Sequence, residues 1–496
     1  MRIDNPTKEE VKQFFDNLDN YLDKNYKVEY VKYLDLGVKT VKLICYSQDF
    51  IHLVEKQLNY VLRDNAEKYD AVLKIWNEKN IEMLPSKIVD KLNPAKNIKL
   101  RVKMLVNKIK GLDLWVFDDN YSKINPIISN NLWNGIFSAQ NEDTKTYYYG
   151  VKDLNPEEII KEGHLFVQHL NRILKTPNTN MVHGACVGLN DNGVLFCARG
   201  QRGKSTLVVL SMIDGFEYVS DDYLTLEKEN DKLYAHPIYS IITLSPRMYN
   251  ELFDKLKDSR FLFNNARKDK YVLSIANFHD RFKKKYPIKF CMFPEIVSDK
   301  EPSITECGKD EKGRAIVQII QSTVCQMQDI NNPKVIEKLF NMVKDFKFYK
   351  INLCNDINKN TQFLKEFLKN FQTVDKSEYN SGRYLTDITF DITNILDTKT
   401  FTIYTMNKLA TAVYENLKQG ISKENILSAM GTIKDMPLKI MTEVDELIDF
   451  LNELGFLNDI KPVDKKAYIN PEFAQENNCK ISVLRYDEDK TLELIK

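Results

Sequence analysis

The chain has 496 residues, 43% of them hydrophobic and 28% charged, which is typical of about two to four globular domains. Its 71 basic and 70 acidic residues leave a net charge of +1, which excludes the large field of one sign that favours nucleic acid or a membrane surface. The first residues lack the apolar core of a signal peptide, and no apolar run reaches the ~18 residues that cross a bilayer, so the sequence predicts a cytoplasmic protein without a nucleic-acid or membrane partner.

The eight cysteines indicate reduced thiols rather than disulfides or a metal site. They are scattered without C-x-x-C pairs, and many lie in apolar strand or helix patterns. None of the six histidines completes a set of zinc ligands with them, so no structural zinc is expected. The cysteines are Cys45, Cys186, Cys197, Cys291, Cys307, Cys325, Cys354 and Cys479.

Residues 1–150 predict an N-terminal α+β region. Thr7-x-x-Glu10 is a capping box that opens an amphipathic helix. The aromatic residues of the second half are expected to form sheet core rather than a substrate wall, so no chemistry is predicted here. The expected elements after the first helix are a strand at 41–46, a helix at 49–64, a strand at 69–76 and antiparallel strands between 114 and 149.

A helix is predicted to begin at Asn155, which can cap it, with Pro156 at its first position and two glutamates after the proline. This helix is expected to pack behind a strand that carries His183. His164 and His169 lie on it, and both are predicted to be core or surface residues without a functional role.

A strand, a glycine-containing turn and a helix follow one another between residues 194 and 210. Such a turn points backbone N–H groups into one concavity at a helix start, where the helix dipole also favours a phosphate anion. The pattern departs from G-x-x-x-x-G-K-[ST], because Ala198 stands where the first glycine belongs and a glycine stands at Gly200. The residues expected to bind a nucleotide are Gly200, Gln201, Arg202, Gly203, Lys204, Ser205 and Thr206.

Two side chains of this loop have separate expected tasks. Lys204 would lie along the β- and γ-phosphates of ATP or another nucleoside triphosphate, and the Ser205 hydroxyl would bind a Mg²⁺ that bridges them. Asp221 and Asp222 follow at a strand end, with Asp221 17 positions after Lys204 (221 − 204). Two carboxylates beside a triphosphate suit one role each, a metal ligand and a base for an attacking hydroxyl. In isolation an Asp-Asp pair is more often an exposed turn, but its place one short helix after the loop favours function.

This block resembles the HPr kinase/phosphorylase family, whose P-loop fold is shared with the phosphoenolpyruvate carboxykinases. The resemblance implies that Asp221 is the general base toward a serine hydroxyl, that His183 assists it, and that Lys204 completes the catalytic set. It also implies that Ser205 and Asp222 hold the metal. The matching residues are His183-Gly184, Gly203-Lys204-Ser205 and Asp221-Asp222, with the histidine 21 positions before the lysine (204 − 183).

The chain departs from that family in two places. Thr206 replaces the glutamate that often follows the serine, and no Glu-Ile-Arg-Gly stretch lies downstream. Arg247 lies where a phosphate-binding arginine is expected. The resemblance is therefore to the broader HPr-kinase-like set, and it does not imply HPr as the substrate.

The kinase-like domain is predicted to span residues 151–372. The basic residues between 255 and 285 are expected to form a solvated face, with a phosphate- or peptide-binding loop as the alternative. Further strands of the same sheet are predicted at 223–226, 241–244, 289–293 and 348–353, and helices at 314–327, 333–346 and 361–371.

After a polar linker at 373–382, residues 383–458 resemble the PqqD-type peptide-recognition domain, which is similar to a winged helix. The resemblance implies that a peptide adds a strand to an exposed sheet edge of this domain. The tail at 459–496 is polar, and no element is predicted there. The matching features are strands at 388–392 and 400–404, Tyr404-x-x-Asn407-x-x-Ala410, Gly420, a helix from Lys423, a helix at 444–454 and Phe450-Leu451-x-x-Leu454-Gly455.

The predicted fold is thus α/β, with an HPr-kinase-like P-loop core, an N-terminal α+β region and a C-terminal winged-helix-like domain. The predicted activity is phosphorylation, with ATP and Mg²⁺, of a serine or other hydroxyl on a ribosomally made precursor peptide or protein. GTP and pyrophosphate are alternative donors. Two other functions remain open, namely a nucleotide-responsive peptide chaperone for a modifying enzyme, and a kinase for a small metabolite.

Overall fold

The structure is a computed structural model of mixed α/β architecture with several sheets. It describes residues 8–78, 127–131, 136–152, 164–197, 202–256, 260–265, 270–275, 278–297, 301–327, 332–371, 379, 381–434, 436–458, 460–463, 465–475, 479 and 481–483. Thr7, the helix start at Asn155, the aromatic run at 114–117 and most of the linker lie outside these ranges. Within them, no helix is long and apolar enough to cross a membrane.

The N-terminal region forms a seven-stranded sheet in the order β3-β1-β2-β4-β7-β6-β5. Its last three strands are antiparallel neighbours; the predicted runs at 136–137 and 147–149 lie in two of them, β6 and β7, and Tyr147 and Tyr148 are buried. The predicted helix at 49–64 ends earlier, because a strand begins at Leu62. The elements are α1 (Lys8–Asn25), β1 (Tyr30–Asp35), β2 (Thr40–Cys45), α2 (Gln48–Leu58), β3 (Leu62–Arg63), β4 (Ala71–Glu78), β5 (Ile127–Asn131), β6 (Ile136–Asn141) and β7 (Thr146–Lys152).

The central region contains a nine-stranded sheet and a three-stranded sheet. Its helices are α3 (Val167–Leu174), α4 (Lys204–Ile213), α5 (Pro246–Glu251), α6 (Lys309–Met327), α7 (Pro333–Val343) and α8 (Ile357–Asn370). Its strands are β8 (Thr179–His183), β9 (Ala185–Leu189), β10 (Asn192–Phe196), β11 (Glu217–Ser220), β12 (Tyr223–Glu229), β13 (Lys232–Pro237), β14 (Ile241–Leu244), β15 (Arg260–Asn265), β16 (Lys270–Ser274), β17 (Tyr286–Ile296), β18 (Ser303–Glu306) and β19 (Lys347–Leu353).

One strand prediction is wrong in its partner. Residues 241–244 do form a strand, β14, but it pairs with β16 in the separate three-stranded sheet β14-β16-β15 and not with the strands of the large sheet. An apolar run specifies that a segment is buried, while the choice of neighbour depends on long-range register, which the local pattern does not encode.

Helices cover both faces of the large sheet. Alternate residues of its inner strands point to opposite faces and therefore pack against different helices. In β10, Val194 and Phe196 belong to the apolar cluster with α4 and α8. Leu195, together with Cys197 just after the strand, belongs to the cluster with α6 and α7. β10 is parallel to β17, and β17 is parallel to β19. These strands therefore end together at one edge of the sheet, next to the start of α4.

The C-terminal region is a four-stranded sheet in the order β20-β21-β22-β23 with three helices. The predicted strand at 388–392 is wrong, because Phe390 and Asp391 both have positive φ (53° and 58°) and form a two-residue turn between β20 and β21. The tail, for which no element was predicted, supplies β23. The elements are β20 (Tyr384–Thr389), β21 (Ile392–Asp397), β22 (Thr402–Met406), α9 (Lys408–Lys418), α10 (Lys423–Gly431), α11 (Leu438–Glu453) and β23 (Ile481–Val483).

This C-terminal sheet packs on both of its faces. Ile395 and Met406 lie in an apolar cluster with α9 and α11. Leu385 and Leu396 lie instead in the cluster of α6 and α7. Asp387, which is fully buried, accepts a hydrogen bond from Nε of Arg314 on α6 at 3.1 Å. The C-terminal sheet thus has an apolar core of its own and a second apolar contact with the central region.

Candidate active site

β10 and α4 flank the loop that the sequence predicts to bind phosphate. Residues 198–201, which include the predicted Gly200 and Gln201, lie outside the described ranges. Gly203 precedes α4 with φ 84°, and a Cβ added there would lie 2.7 Å from Cδ1 of Leu353. Glycine adopts this left-handed conformation without the strain of other residues, and it leaves that space free. The chain can therefore turn into α4 at this glycine. The first N–H groups of α4 have no partner within the helix and are available to an anion.

Lys204 is the first residue of α4, and its side chain is only 7% exposed. Its Nζ lies 3.2 Å from Oδ1 of Asp222. An ammonium group this deeply buried requires a compensating charge, because losing its hydration costs several kcal/mol. The carboxylate of Asp222 provides that charge and holds the ammonium at the helix N-terminus.

Asp221 follows β11 directly and is 1% exposed. Its Oδ1 accepts a hydrogen bond from the hydroxyl of Ser205 at 3.1 Å. Its Oδ2 is buried and has no hydrogen-bond partner within the described part of the chain. The expected metal pair was Ser205 with Asp222, whereas the carboxylate that Ser205 contacts is that of Asp221. The structure therefore separates a Ser205–Asp221 pair from the Lys204–Asp222 pair.

Asp222 is held by strands on both sides. Its φ of 70° lies in the left-handed region, and its main-chain oxygen accepts the N–H of Gly184 at 2.9 Å. Nε2 of His183, at the end of β8, lies 3.8 Å from its Oδ1. Its Oδ2 accepts a hydrogen bond from the hydroxyl of Thr243 on β14 at 3.4 Å. The predicted residues His183, Lys204 and Asp222 are thus brought together.

The two adjacent carboxyl groups have opposite pKa shifts. Burial and the neighbouring charge of Asp222 raise the pKa of Asp221 to about 6. Burial also opposes ionisation of Asp222, but the Lys204 and Lys270 cations outweigh it and hold the pKa of Asp222 well below its usual range. His164 contributes in the same direction as the two lysines. At neutral pH, Asp222 is therefore firmly ionised, and Asp221 is close enough to its pKa to exchange a proton.

The sequence predicts no role for His164 and places Lys270 in the basic stretch at 255–285, whose alternative interpretation is a phosphate-binding loop, but both residues belong to this site. The ring of His164 lies 4.6 Å from the ring of Tyr223, and His164 lines the same cavity as Lys204. Lys270, the first residue of β16, lines it as well. No local motif marks His164, and the sequence signal for Lys270 is the basic stretch at 255–285. His169, predicted to be a core or surface residue, is 2% exposed and packs against tyrosine rings of the core.

A cavity of 710 Å³ opens at the start of α4. Its size is within the range of about 300–1,000 Å³ that small-molecule sites occupy. Arg247 lies at its rim with a side chain that is 81% exposed and paired with Glu251, so it is available from solvent. The predicted residues that line the cavity are His183, Arg202, Gly203, Lys204, Ser205, Thr206 and Asp222.

Arg202 joins this cavity to the C-terminal region. Its Nη1 lies 3.4 Å from Oε1 of Glu295, near the end of β17. The centre of its guanidinium lies 5.5 Å from the ring of Phe390, at the tip of the β20–β21 hairpin. A cation over an aromatic face is attracted by the ring quadrupole. The β20–β21 hairpin therefore contacts the segment that precedes α4.

The residues present fit a nucleoside triphosphate and Mg²⁺. A helix start, Lys204 and Lys270 supply positive charge for phosphates. Ser205 and the unpartnered oxygen of Asp221 supply two hard oxygen ligands. Among the described residues no cluster of three or more His, Cys, Asp or Glu side chains is arranged for a metal. Mg²⁺ does not need one, since it is commonly held by one or two carboxylates together with substrate phosphates and waters.

Comparisons with known proteins give a weak structural likeness. No protein-family model matches the chain, and no curated protein matches it. Among solved structures, the HPr(Ser) kinase/phosphatase from Coxiella burnetii aligns with 38% of this chain and 93% of its own, at 13% identity and a TM-score of 0.22. A likeness of this degree carries no information about individual site residues.

Proposed function

We propose that the protein is a Mg²⁺- and ATP-dependent kinase that transfers a phosphoryl group to a serine or other hydroxyl of a peptide or protein held by its C-terminal region. The observation that carries the proposal is the site at the start of α4. One cavity there combines a helix N-terminus with the buried Lys204 and with Asp222, and the buried Asp221, which is not among the lining residues, contacts Ser205 of that lining. Phosphoryl transfer depends almost entirely on positioning and on charge stabilisation, which are what these groups supply.

Lys204 binds and orients the triphosphate. Its ammonium group stabilises charge on the β- and γ-phosphoryl oxygens, and the free N–H groups of α4 act on the same anion. While no nucleotide is bound, Asp222 compensates the lysine charge at 3.2 Å. Binding of a phosphate exchanges one anionic partner of Lys204 for another and releases the carboxylate of Asp222.

Ser205 and Asp221 are the proposed ligands of the divalent cation. Their contact at 3.1 Å and the buried, unpartnered oxygen of Asp221 support this pairing. When bound, Mg²⁺ would neutralise charge on the transferring phosphoryl group. A cation would also remove the cost of burying the Asp221 carboxylate, because the group would then have a positive partner.

Asp222 and His183 are the proposed acceptor-side pair. Both line the cavity, and Nε2 of His183 lies 3.8 Å from the carboxylate. Once a bound phosphate has replaced it as the partner of Lys204, Asp222 would lose the charge that chiefly lowers its pKa. It would then accept the proton of the attacking hydroxyl, while His183 would hold the carboxylate in place. These roles exchange the two aspartates relative to the assignment that the family resemblance implies, and the reason is the Ser205–Asp221 contact.

The nucleotide part of the proposal is tested by Lys204→Ala. Loss of the ammonium group is expected to weaken ATP binding about a hundredfold, since a charge-assisted contact in a buried site is lost. Isothermal titration calorimetry with ATP and Mg²⁺ measures it. Lys365→Ala is the matched control, because that lysine, which bonds the carbonyl of Asp214, lies outside the cavity lining. Equal affinity of the Lys204 variant and the parent would end the proposal.

The two aspartates are separated by their effects on metal and on transfer. Asp221→Asn should abolish the increase in ATP affinity that Mg²⁺ produces. Asp222→Asn should keep that increase and lower the transfer rate by a factor on the order of 10²–10⁴. The reverse pattern would restore the family-implied roles. Nucleotide and peptide binding without transfer to any peptide or metabolite would favour the chaperone, and transfer to metabolites alone would favour the small-molecule kinase.

A further inference from the structure

Three of the described hairpins share one turn geometry, in which two residues with φ between 47° and 60° connect a pair of antiparallel strands. Two of these turns are Asn190-Asp191 and Asn230-Asp231. Asparagine tolerates the left-handed conformation, because its short polar side chain can form hydrogen bonds with the local backbone. The third turn, between β20 and β21, is Phe390-Asp391. Phenylalanine has no such compensation, so the backbone of Phe390 is strained.

Burial does not offset the strain at Phe390, because this residue is 59% exposed. Its ring lies instead against Arg202, with the guanidinium centre 5.5 Å from the ring centre. That distance is within the ~6 Å over which an aromatic face attracts a cation. A strained residue that is retained without burial indicates a functional constraint at its position.

The strands beside this turn are fixed to the central region by a buried polar network. Asp387 of β20 is fully buried. Besides Arg314, its Oδ1 accepts hydrogen bonds from the hydroxyl of Thr389 at 2.9 Å and from Nε2 of Gln318 on α6 at 3.0 Å. A satisfied buried network makes its surroundings rigid. Because Thr389 directly precedes Phe390, the network also fixes the position of the ring.

Arg202 is held by two partners and still lines the cavity. Its Nη1 lies 3.4 Å from Oε1 of Glu295, and its guanidinium lies over the ring of Phe390. Arg202 lines the cavity together with Gly203 and Lys204. A guanidinium has five N–H donors in a planar fork, so a contact with one carboxylate oxygen leaves donors for phosphoryl oxygens.

We propose that Phe390 is a positioning residue for Arg202, and that Arg202 stabilises the charge on the phosphoryl group while it is transferred. The inference rests on the proposed function, because it assigns two residues to that reaction. During transfer the charge spreads over the three equatorial oxygens, and a guanidinium that is already oriented stabilises them without reorganisation. The C-terminal region would thus complete the active site through one aromatic ring. Binding of ATP itself depends on Lys204 and the start of α4, and it does not require Phe390.

The substitution Phe390→Asn tests this role, because a structural and a functional role predict opposite results. Asparagine occupies the same position of the other two turns, so it should relieve the strain and raise the urea midpoint of unfolding. It also removes the ring. Binding of the transition-state analogue formed by ADP, Mg²⁺ and aluminium fluoride should therefore weaken about tenfold, and hydrolysis of ATP, which is transfer to water, should slow about tenfold. ATP affinity should change by less than about threefold.

Three further variants separate the ring, the arginine and the loss of an apolar side chain. Phe390→Trp keeps an aromatic face and should keep the affinity of the parent for the analogue. Leu438→Asn removes another exposed apolar side chain of the C-terminal region and should change neither binding nor hydrolysis. Arg202→Gln should weaken analogue binding about a hundredfold. Adding Phe390→Asn to Arg202→Gln should cause no further loss, because Phe390 acts through that arginine.

Isothermal titration calorimetry on the full chain measures ADP, ATP and the analogue, and phosphate release measures hydrolysis. A parent that binds ADP no more tightly with aluminium fluoride than without it would contradict the proposed function, and this inference with it. If the parent does bind the analogue more tightly, four results would overturn the inference alone. These are unchanged analogue binding in Phe390→Asn, a lower urea midpoint in that variant, failure of Phe390→Trp to restore binding, and additive losses in the double variant.

Discussion

Two adjacent carboxyl groups should respond in opposite ways to the same substitution. Asp221 is 1% exposed, with one oxygen bonded to Ser205 and the other without a partner. Asp222 compensates the buried Lys204 at 3.2 Å. In the absence of nucleotide and metal, Asp221→Asn is therefore expected to stabilise the fold, and Asp222→Asn to destabilise it.

The magnitude follows from the pKa of Asp221. Burial and Asp222 raise it from 3.8 to about 6, a shift of about two units, so ionised Asp221 costs the native state up to about 3 kcal/mol at pH 7.5. Because the folded-state pKa lies above the unfolded-state value, this cost is absent well below pH 4, grows between about pH 4 and 6, and is constant at higher pH. Asp221→Asn removes the charge and should recover most of that free energy. Asp222→Asn leaves the Lys204 ammonium uncompensated, at a cost of about 3 kcal/mol.

Equilibrium urea unfolding followed by circular dichroism, at pH 7.5 and at pH 4 without Mg²⁺ or nucleotide, measures both variants against the parent. The gain of Asp221→Asn should be present at pH 7.5 and much smaller at pH 4. With Mg²⁺ and ATP present, the parent should become more stable than Asp221→Asn, because the parent then gains Mg²⁺, which this variant cannot hold. Equal destabilisation by the two substitutions at pH 7.5, or a gain that does not change with pH, would refute the reasoning.

Two further predictions concern the loop and the organisation of the chain. Gly203→Ala introduces a Cβ at φ 84° and 2.7 Å from Leu353. It should therefore destabilise the chain by about 1–2 kcal/mol and weaken ATP binding in calorimetry. Gly308→Ala is the control and should do neither, because a Cβ there meets open space. A chain ending at residue 371 should still bind ATP in calorimetry, because every described member of the apolar cluster beneath α4 comes from residues before 372. If the truncated chain folds but does not bind ATP, the C-terminal region is part of the nucleotide site.

Much of the site could be predicted from the sequence because its chemistry is encoded locally. The order of strand, glycine-containing turn and helix is a local pattern, and the structure contains the predicted strand and helix as β10 and α4. Asp221 and Asp222 could be assigned to the same site because a helix of ten residues separates them from the loop and leaves the chain little choice of direction. Fold class also follows from local patterns, since apolar runs of strand length alternate with amphipathic helices.

Pairings between distant segments were decided only by the tertiary structure. The packing of segments that are far apart in the sequence decides which aspartate contacts Ser205. It also brings His164 and Lys270 to the cavity. The same is true of β14, which leaves the large sheet for a small one, and of β23, which closes an edge of the C-terminal sheet. Local periodicity specifies which face of a segment is buried, but neighbour and register come from the packing of the whole chain, where a shift of one residue reverses every side chain. The sequence by itself therefore determined the strand, the turn and the helix that begins at Lys204, and the tertiary structure decided the partner of each carboxylate.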